Sequence, residues 1–383
     1  MKILTVSGPL HREFGGPPMA ATGAAASLAT LGHQVHMLVC GQSVNDIQMN
    51  SVFFDKLSHS GAEVNVLQRR GESKYGAVIR FHELKSVLSD VNKSDFVILH
   101  QVFELQYIAI FPILLVLKKP YVVMPHGTLT TYQRKQHKLR KFLFYPATYL
   151  LLKFSRGIFV ATELEKSQLP GYLKGKGFTV GLGINLPEVQ IRNQKPSLNT
   201  FNLLFMGRIA KKKRLDIALE AFALVKSKTD VELRFTICGS GVEDEIEVMR
   251  NLVKRLGIES EVLFRGWVDK EDKLSALLGS DCFILTSEDE NFAIAAAEAL
   301  SFGIPCVLSS NVALATVVSA YSAGAVFTHL DSSEVADAIL SVLRVNKELS
   351  IENALKAAST LTWDSIALKW QAQIRELLDF QVF

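Results

Sequence analysis

Twice along this chain, short apolar runs of strand length alternate with longer helical stretches, and a segment rich in glycine and proline separates the two series. In the first half the runs are Ile3 to Val6, Val35 to Val39, Glu63 to Val66, Phe96 to Leu99, Tyr121 to Met124 and Gly157 to Val160. In the second they are Asn202 to Met206, Glu232 to Cys238, Val262 to Arg265, Cys282 to Leu285, Cys306 to Ser309 and Ala325 to Phe327. Such runs, spaced by helices, predict an α/β chain with parallel sheets covered on both faces. The first intervening helix is expected to begin near Met19 and to stop at Leu31-Gly-His. Gly171 to Gly183 holds five glycines beside Pro170, and Pro187 and Pro196 follow, which makes this the best linker. A length of 383 residues with 48% hydrophobic content is too much for one ordinary core and suits two domains. The division read from this is 1–175, then 176–362, with 363–383 as a closing amphipathic helix that carries Trp370 and Leu377. Two such units side by side leave a cleft, and ligands of open α/β sheets lie at the carboxyl ends of the strands.

Composition removes several functional classes. The formal charge is only +4 and no basic or acidic tail dominates, so nucleic-acid binding has no global electrostatic support. Cys40, Cys238, Cys282 and Cys306 are far apart and mostly inside apolar runs, which predicts reduced, buried thiols in a cytoplasmic protein rather than disulfides or a zinc site. The amino terminus, Met1-Lys-Ile-Leu-Thr-Val-Ser-Gly, reads as a strand entering a glycine turn and not as a signal peptide. Leu105 to Leu117 falls short of the roughly 20 residues that span a bilayer and contains Gln106 and Pro112, so a buried core helix is expected there. From Gln133 to Arg156, basic residues interleave with Phe142, Phe144, Tyr145 and Tyr149. Such a stretch can rest on anionic lipid, a peripheral contact at the inner membrane face, or pack on the core with a solvated basic side; the residues favour neither.

The chemistry concentrates at a few turns. Glu290 and Glu298 flank the start of an alanine-rich helix, and eight helical steps separate them by roughly 12 Å, close to the distance between the hexose and the ribose of a nucleotide sugar. A helix start beside a diphosphate offers unpaired N–H groups and a positive dipole end. Phe14-Gly-Gly-Pro follows the first strand, where Gly15 and Gly16 let a ligand approach the backbone. Met206-Gly-Arg-Ile-Ala-Lys-Lys-Lys-Arg closes the first strand of the second series and sets cations at its carboxyl end, suited to charge growing on a departing diphosphate. Pro125-His-Gly-Thr follows another strand, so His126 can hydrogen-bond a ligand or support charge. Gly239-Ser-Gly follows the strand ending at Cys238. Asp-x-Asp, His-Glu-x-x-His, paired Cys-x-x-Cys, the P-loop pattern and the dinucleotide glycine pattern are all missing, which weakens metal-dependent, kinase and dehydrogenase readings.

Taken together, these segments resemble the retaining glycosyltransferases of family 4, also called glycosyl transferases group 1, most firmly from Leu203 to Ser309. The resemblance implies the GT-B fold: two Rossmann-like domains facing across a cleft, with the last helix returning to pack on the first. It implies metal-independent transfer of a hexose, with retention, from a nucleoside-diphosphate sugar to a saccharide or lipid-linked saccharide, in polysaccharide or glycolipid synthesis. No cofactor beyond the donor substrate is implied. Carried over by position, Arg208 and Lys213 neutralise the leaving diphosphate, Glu290 holds the donor sugar, and Glu298 holds the ribose. Phe292 and Ala293 offer backbone amides, His126 lies beside the sugar, Gly15 and Gly16 face the diphosphate, and Gly239 lines the base. Three positions depart from the pattern: Arg214 stands where the family has Gly, Ala293 where it often has Gly or Pro, and Thr286 where it has Pro. Two rivals remain on the same architecture, a nucleotide-sugar epimerase and a non-catalytic nucleotide-sugar-binding subunit.

Overall fold

A computed structural model describes residues 1–11, 16–43, 51–69, 77–135, 138–187 and 200–379. The chain divides into two compact units, Met1–Gly183 with Trp363–Phe383, and Ile184–Thr362.

The first unit holds β1 (Lys2–Ser7), α1 (Gly16–Thr30), β2 (Gln34–Ser43), α2 (Ser51–His59), β3 (Glu63–Arg69), α3 (Leu84–Lys93) and β4 (Phe96–His100). It continues through α4 (Tyr107–Val116), β5 (Tyr121–Met124), α5 (Thr131–Lys135), α6 (Lys138–Phe154), β6 (Gly157–Val160), α7 (Glu163–Ser167) and β7 (Gly177–Thr179). Its seven strands are ordered β3-β2-β1-β4-β5-β6-β7 and every pairing is parallel. Every expected strand forms; all but the edge strand β3, which is only half-buried, are buried runs rich in β-branched or aromatic residues.

Two expectations fail here. Gly171 to Gly183 is not a linker: Gly171–Lys176 is a short 3-10 turn, and Gly177–Thr179 adds an edge strand to β6. The first unit therefore runs to Gly183, past the expected boundary at 175. Glycines at this edge let backbone pass close to large side chains; a Cβ on Gly183 would lie 2.4 Å from the Trp363 ring. The other failure is α4, expected in the core. Tyr107, Ile110 and Leu114 are buried, but Ile108, Leu115 and Val116 are exposed.

The second unit holds β8 (Thr200–Met206), α8 (Leu215–Lys228), β9 (Glu232–Cys238), α9 (Glu243–Leu256), β10 (Val262–Gly266), α10 (Lys270–Leu278) and β11 (Cys282–Leu285). It ends with α11 (Ile294–Ser301), β12 (Cys306–Ser309), α12 (Ala315–Ala320), β13 (Gly324–Phe327), α13 (Ser332–Arg344) and α14 (Lys347–Ser359). Its parallel order is β10-β9-β8-β11-β12-β13. In both sheets the order reverses beside the first strand, between β1 and β4 and between β8 and β11, and the loops leaving those two strands diverge to make a ligand crevice. All four cysteines are free and buried, as their apolar runs predict.

The last helix, α15 (Trp363–Asp379), belongs to the first unit. Its Trp370 is fully buried, donates from Nε1 to the Gly181 carbonyl at 3.2 Å and meets Phe159 edge-on at 5.4 Å. Its Trp363 lies so close to α1 that a Cβ on Gly23 would be 2.1 Å from the indole. The small residues of α1 thus seat the returning helix. Trp370→Ala should lower the unfolding free energy of this unit by about 3–5 kcal/mol. Urea titration would measure the loss, and amides of 363–379 should lose hydrogen-exchange protection first.

Candidate functional site

Adjacent parallel strands put their carboxyl-end loops side by side. β8 and β11 pair through Leu203 with Cys282 and Leu204 with Phe283, so Gly207 to Arg214 and Thr286 to Ala293 run next to one another. Backbone bonds fasten the two loops. Glu288 N–H donates to the Lys212 carbonyl at 2.8 Å, and the Thr286 hydroxyl reaches the carbonyls of Arg214 at 2.7 Å and Lys213 at 3.0 Å. A third segment holds Glu290 from the other side: its N–H donates to Asn311 O at 3.3 Å and its carbonyl accepts from Ala313 N at 3.2 Å.

At the centre of this frame Lys213 Nζ is hydrogen-bonded to the Glu290 carboxylate. Burial pushes the Glu290 carboxyl upward, but the charges of Lys213 and Lys212, the Lys213 hydrogen bond and the Arg208 charge outweigh it, so its pKa lies below the ordinary value. Glu290 is therefore ionised at neutral pH. Lys212 donates to the Asp289 carbonyl at 3.2 Å, and burial lowers its pKa. Arg208 is exposed at the end of β8, and its charge is felt by both Lys212 and Glu290.

The neighbouring cations Lys212, Lys213 and Arg214 have different tasks. Arg214 is spent on a fork with Asp216, at 2.9 Å to Oδ2, and on Glu288 at 3.2 Å. Lys213 is the one that meets Glu290. Arg214 also takes φ +48° and Ala293 φ +64°, the left-handed region that glycine favours. These are the two positions where the family pattern has or often has Gly, so the backbone geometry survives the departures.

Glu298 is held separately, by Lys273 Nζ of α10 at 2.6 Å. Phe292 and Ala293 are buried at the entrance to α11, whose first N–H groups have no partner within the helix. Gly239 has a structural reason of its own: a Cβ there would lie 1.9 Å from the Gly207 carbonyl oxygen, so it lets the β8 and β9 loops touch. Among the described residues no three His, Cys, Asp or Glu gather as a metal site.

In the first unit, His126 follows β5 at φ +51°, and its Nε2 lies 2.9 Å from His100 Nδ1, with the rings stacked at 5.1 Å. Burial pushes the His126 pKa down to about 3, so the ring is neutral and offers a hydrogen bond rather than a charge. The buried Glu165 carboxylate fixes this turn by accepting from Gly127 N at 2.7 Å and Ala161 N at 2.8 Å. Gly16 is the first residue of α1, while Gly15 lies outside the described residues.

Sequence reasoning missed Lys273, Glu165 and, above all, Glu104. Glu104 ends the loop after β4, behind Gln101 and Phe103, both at positive φ. It is only 5% exposed, its Oε2 has no hydrogen-bond partner, and a Cβ on Gly8 would come within 3.2 Å of that oxygen. Burial pushes its pKa up to about 8, with the neighbouring Gln106 pulling slightly the other way. Its one signal in the sequence is that it is the last acid before a long acid-free stretch.

Removing Lys213 isolates the origin of the Glu290 shift. Because the folded pKa of Glu290 lies below 4.5, its stabilisation is complete above that pH and drains away as the pH falls through the folded value. In Lys213→Met burial is opposed only by Lys212 and Arg208, so the folded pKa rises and the stability lost as pH falls shrinks. The variant should lose about 2–3 kcal/mol at neutral pH, less than a fully enclosed pair because the Glu290 side chain keeps 19% exposure. Urea midpoints at several pH values would check both the sign and the size.

Comparison with known proteins adds an independent line. Residues 188–357 match the family model described as glycosyl transferases group 1. Mannosylfructose-phosphate synthase of Agrobacterium fabrum is 28% identical over 207 residues, covering 52% of this chain and 44% of that protein. N-acetyl-alpha-D-glucosaminyl L-malate synthase of Bacillus anthracis is 32% identical over 143 residues, covering 37% of this chain and 36% of that protein. The chain therefore spans less than half the length of these two relatives. Anabaena HepE, solved in complex with UDP and glucose, is similar in fold with a TM-score of 0.71 over 98% of this chain and 100% of that one, at 16% identity. Residues 188–357 are thus similar to the glycosyl transferases group 1 family, and the chain as a whole has the GT-B fold.

Proposed function

We propose that this protein is a retaining, metal-independent glycosyltransferase that moves a hexose from a nucleoside-diphosphate sugar to a saccharide or lipid-linked saccharide, in polysaccharide or glycolipid synthesis. The observation that carries the reading is the Lys213–Glu290 pair with Arg208 beside it, at the strand-order reversal of the unit that matches the family. Lys213 and Arg208 take up the charge that grows on the diphosphate as the bond from the anomeric carbon to the phosphate oxygen breaks. The acceptor oxygen attacks from the same face, and its proton passes to the departing phosphate oxygen, so the electron pair, the proton and the configuration are all accounted for. Glu290 holds hydroxyls of the transferred sugar, Glu298 the ribose diol, and the amides of Phe292 and Ala293 the donor. Gly239 lines the base, and Gly15, Gly16 and neutral His126 serve the diphosphate and the sugar from the first unit. Because HepE is solved with UDP and glucose, UDP-sugars are the first donors to try. The same reading places the protein in the cytoplasm, with residues 133–156 against the inner membrane face.

Incubation with a panel of nucleotide sugars, with and without saccharide or membrane-extract acceptors, tests the reading. Acceptor-dependent release of nucleoside diphosphate is expected; formation of an epimer without acceptor would sink it. Arg208→Ala and Lys213→Ala should each lower kcat by roughly a hundredfold or more, as lost charge contacts in the transition state do. Glu298→Gln should instead raise the donor KM about tenfold and change kcat less, since a ribose contact is made equally in ground and transition states.

A further inference from the structure

In the first unit β1 lies between β2 and β4, so the carboxyl ends of these three strands gather their loops at one place. Glu104, in the loop between β4 and α4, is buried, and its Oε2 has no hydrogen-bond partner. The space that a Cβ on Gly8 would take, just after β1, is bounded by that oxygen at 3.2 Å and by Gln101 Oε1 at 3.4 Å. Gln106, fully buried beside Glu104, makes no hydrogen bond of good geometry with either amide atom. Gln42, at the carboxyl end of β2, accepts from Leu10 N–H at 2.7 Å and leaves its Nε2 buried and unpartnered. Protein interiors rarely leave such atoms bare, since each costs about 1–3 kcal/mol. Here three side chains carry four of them, beside the strand-order reversal where open α/β sheets bind ligands. The turn that aims Glu104 is itself strained: Gln101 at φ +68° and Phe103 at φ +63° hold a conformation that costs about 1–3 kcal/mol each.

Resting on the reading above and deepening it, we infer that Glu104 is a specificity-determining residue on the acceptor side, where with Gln101 it receives a hydroxyl of an uncharged saccharide. A hydroxyl both accepts and donates, so it can take the Glu104 O–H and give its own proton to Gln101 Oε1. Burial pushes the Glu104 pKa up to about 8, which keeps the acid protonated and able to donate at neutral pH. The ionisable groups that feel its charge, the Cys40 thiol of β2 and the Tyr107 phenol of α4, are pushed up by burial as well and stay neutral. A phosphate or carboxylate fits poorly at this point. Among the described residues no cation is bonded to Glu104, so an anion there would meet a buried acid with nothing to offset its charge.

Saturation-transfer NMR of the full chain with the methyl glycosides of glucose, galactose, mannose and N-acetylglucosamine, and with glucose 6-phosphate and glucuronate, tests the inference. At neutral pH at least one glycoside should bind, about tenfold or more tighter than either anion. Glu104→Ala should weaken that binding about tenfold or more, and Gly8→Ala, which fills the space beside Oε2, should do the same with Glu104 intact. Glu104→Gln keeps a donor in place and should bring affinity back to within about threefold. Wild-type affinity should fall as the pH rises through about 8, and in Glu104→Gln that fall should vanish, which a merely structural role would not produce. Should Glu104→Ala fail to fold, Gly8→Ala and the two pH profiles decide alone. Equal glycoside binding by wild type and Gly8→Ala, an affinity flat in pH, tighter binding of the anions, or binding of no probe overturns the inference and leaves the bare atoms to buried water. Nucleotide-sugar turnover is read separately. Acceptor-dependent turnover that neither alanine variant alters removes Glu104 from the acceptor side and keeps the transferase reading. Glycoside binding that follows these variants in a protein that turns over no nucleotide sugar keeps the subsite and removes that reading.

Discussion

The ion pair between Lys213 and Glu290 sets the chemistry of the second unit. Left alone in its partly buried position Glu290 would tend toward the neutral acid; with Lys213, Lys212 and Arg208 near, it stays ionised. Each charge is then partly satisfied by the other, and a ligand must compete for both. Phosphate alone would draw Lys213 away and leave a carboxylate without its partner. A sugar alone would give Glu290 hydroxyls but would bring no anion for Lys213. In the proposed reaction a sugar joined to a phosphate would answer both at once, which would favour a whole donor over its fragments.

The two sheets reverse strand order at equivalent places, and the comparison of the acids found there is instructive. Glu290 stands beside cations and is ionised, whereas Glu104, beside Gly8 with no cation bonded to it, is pushed up to about 8 and stays largely protonated at neutral pH. The same backbone arrangement thus yields a carboxylate in one unit and a carboxylic acid in the other, decided by what the neighbouring loop brings. In the first unit that loop brings Gly8, and the glutamines near Glu104 come from its own segment; in the second it brings a run of lysines.

Legibility in the sequence followed the size of the physical signal. Core strands such as Phe96–His100 and Cys282–Leu285 were plain because they are continuous buried runs. β7 was not, since Gly177-Phe-Thr has three residues and sits among glycines that equally mark a linker. α4 could not be oriented from its sequence, because a helix apolar all round gives no period to say which face is covered. In the second unit the motif residues Arg208, Lys213 and Glu290 were found together, since adjacent strands must place their loops together. Glu298 was legible from its spacing to Glu290, but its partner Lys273 comes from a helix reached through a different strand, and no spacing rule links those two. Glu104 was invisible for a similar reason: what distinguishes it is burial under Gly8, a contact across almost a hundred residues.

The departures from the family pattern explain one another once the backbone is seen. Arg214 and Ala293 bracket the site loops in a left-handed conformation that costs a residue with a Cβ roughly 1 kcal/mol or more. Arg214 is held there by its fork to Asp216, by Glu288 and by the Thr286 hydroxyl on its carbonyl. A proline at 286 would have no hydroxyl to give, so the third departure, Thr for Pro, supplies a bond that the first one uses. The side chain of Arg214 is thereby committed to its own turn, and the ammonium of Lys213 is the one left facing Glu290. A glycine in place of Arg214 would relax the backbone and release Asp216 and Glu288 from their cation, so the strain at this position is exchanged for a fixed arrangement of charge around the pair.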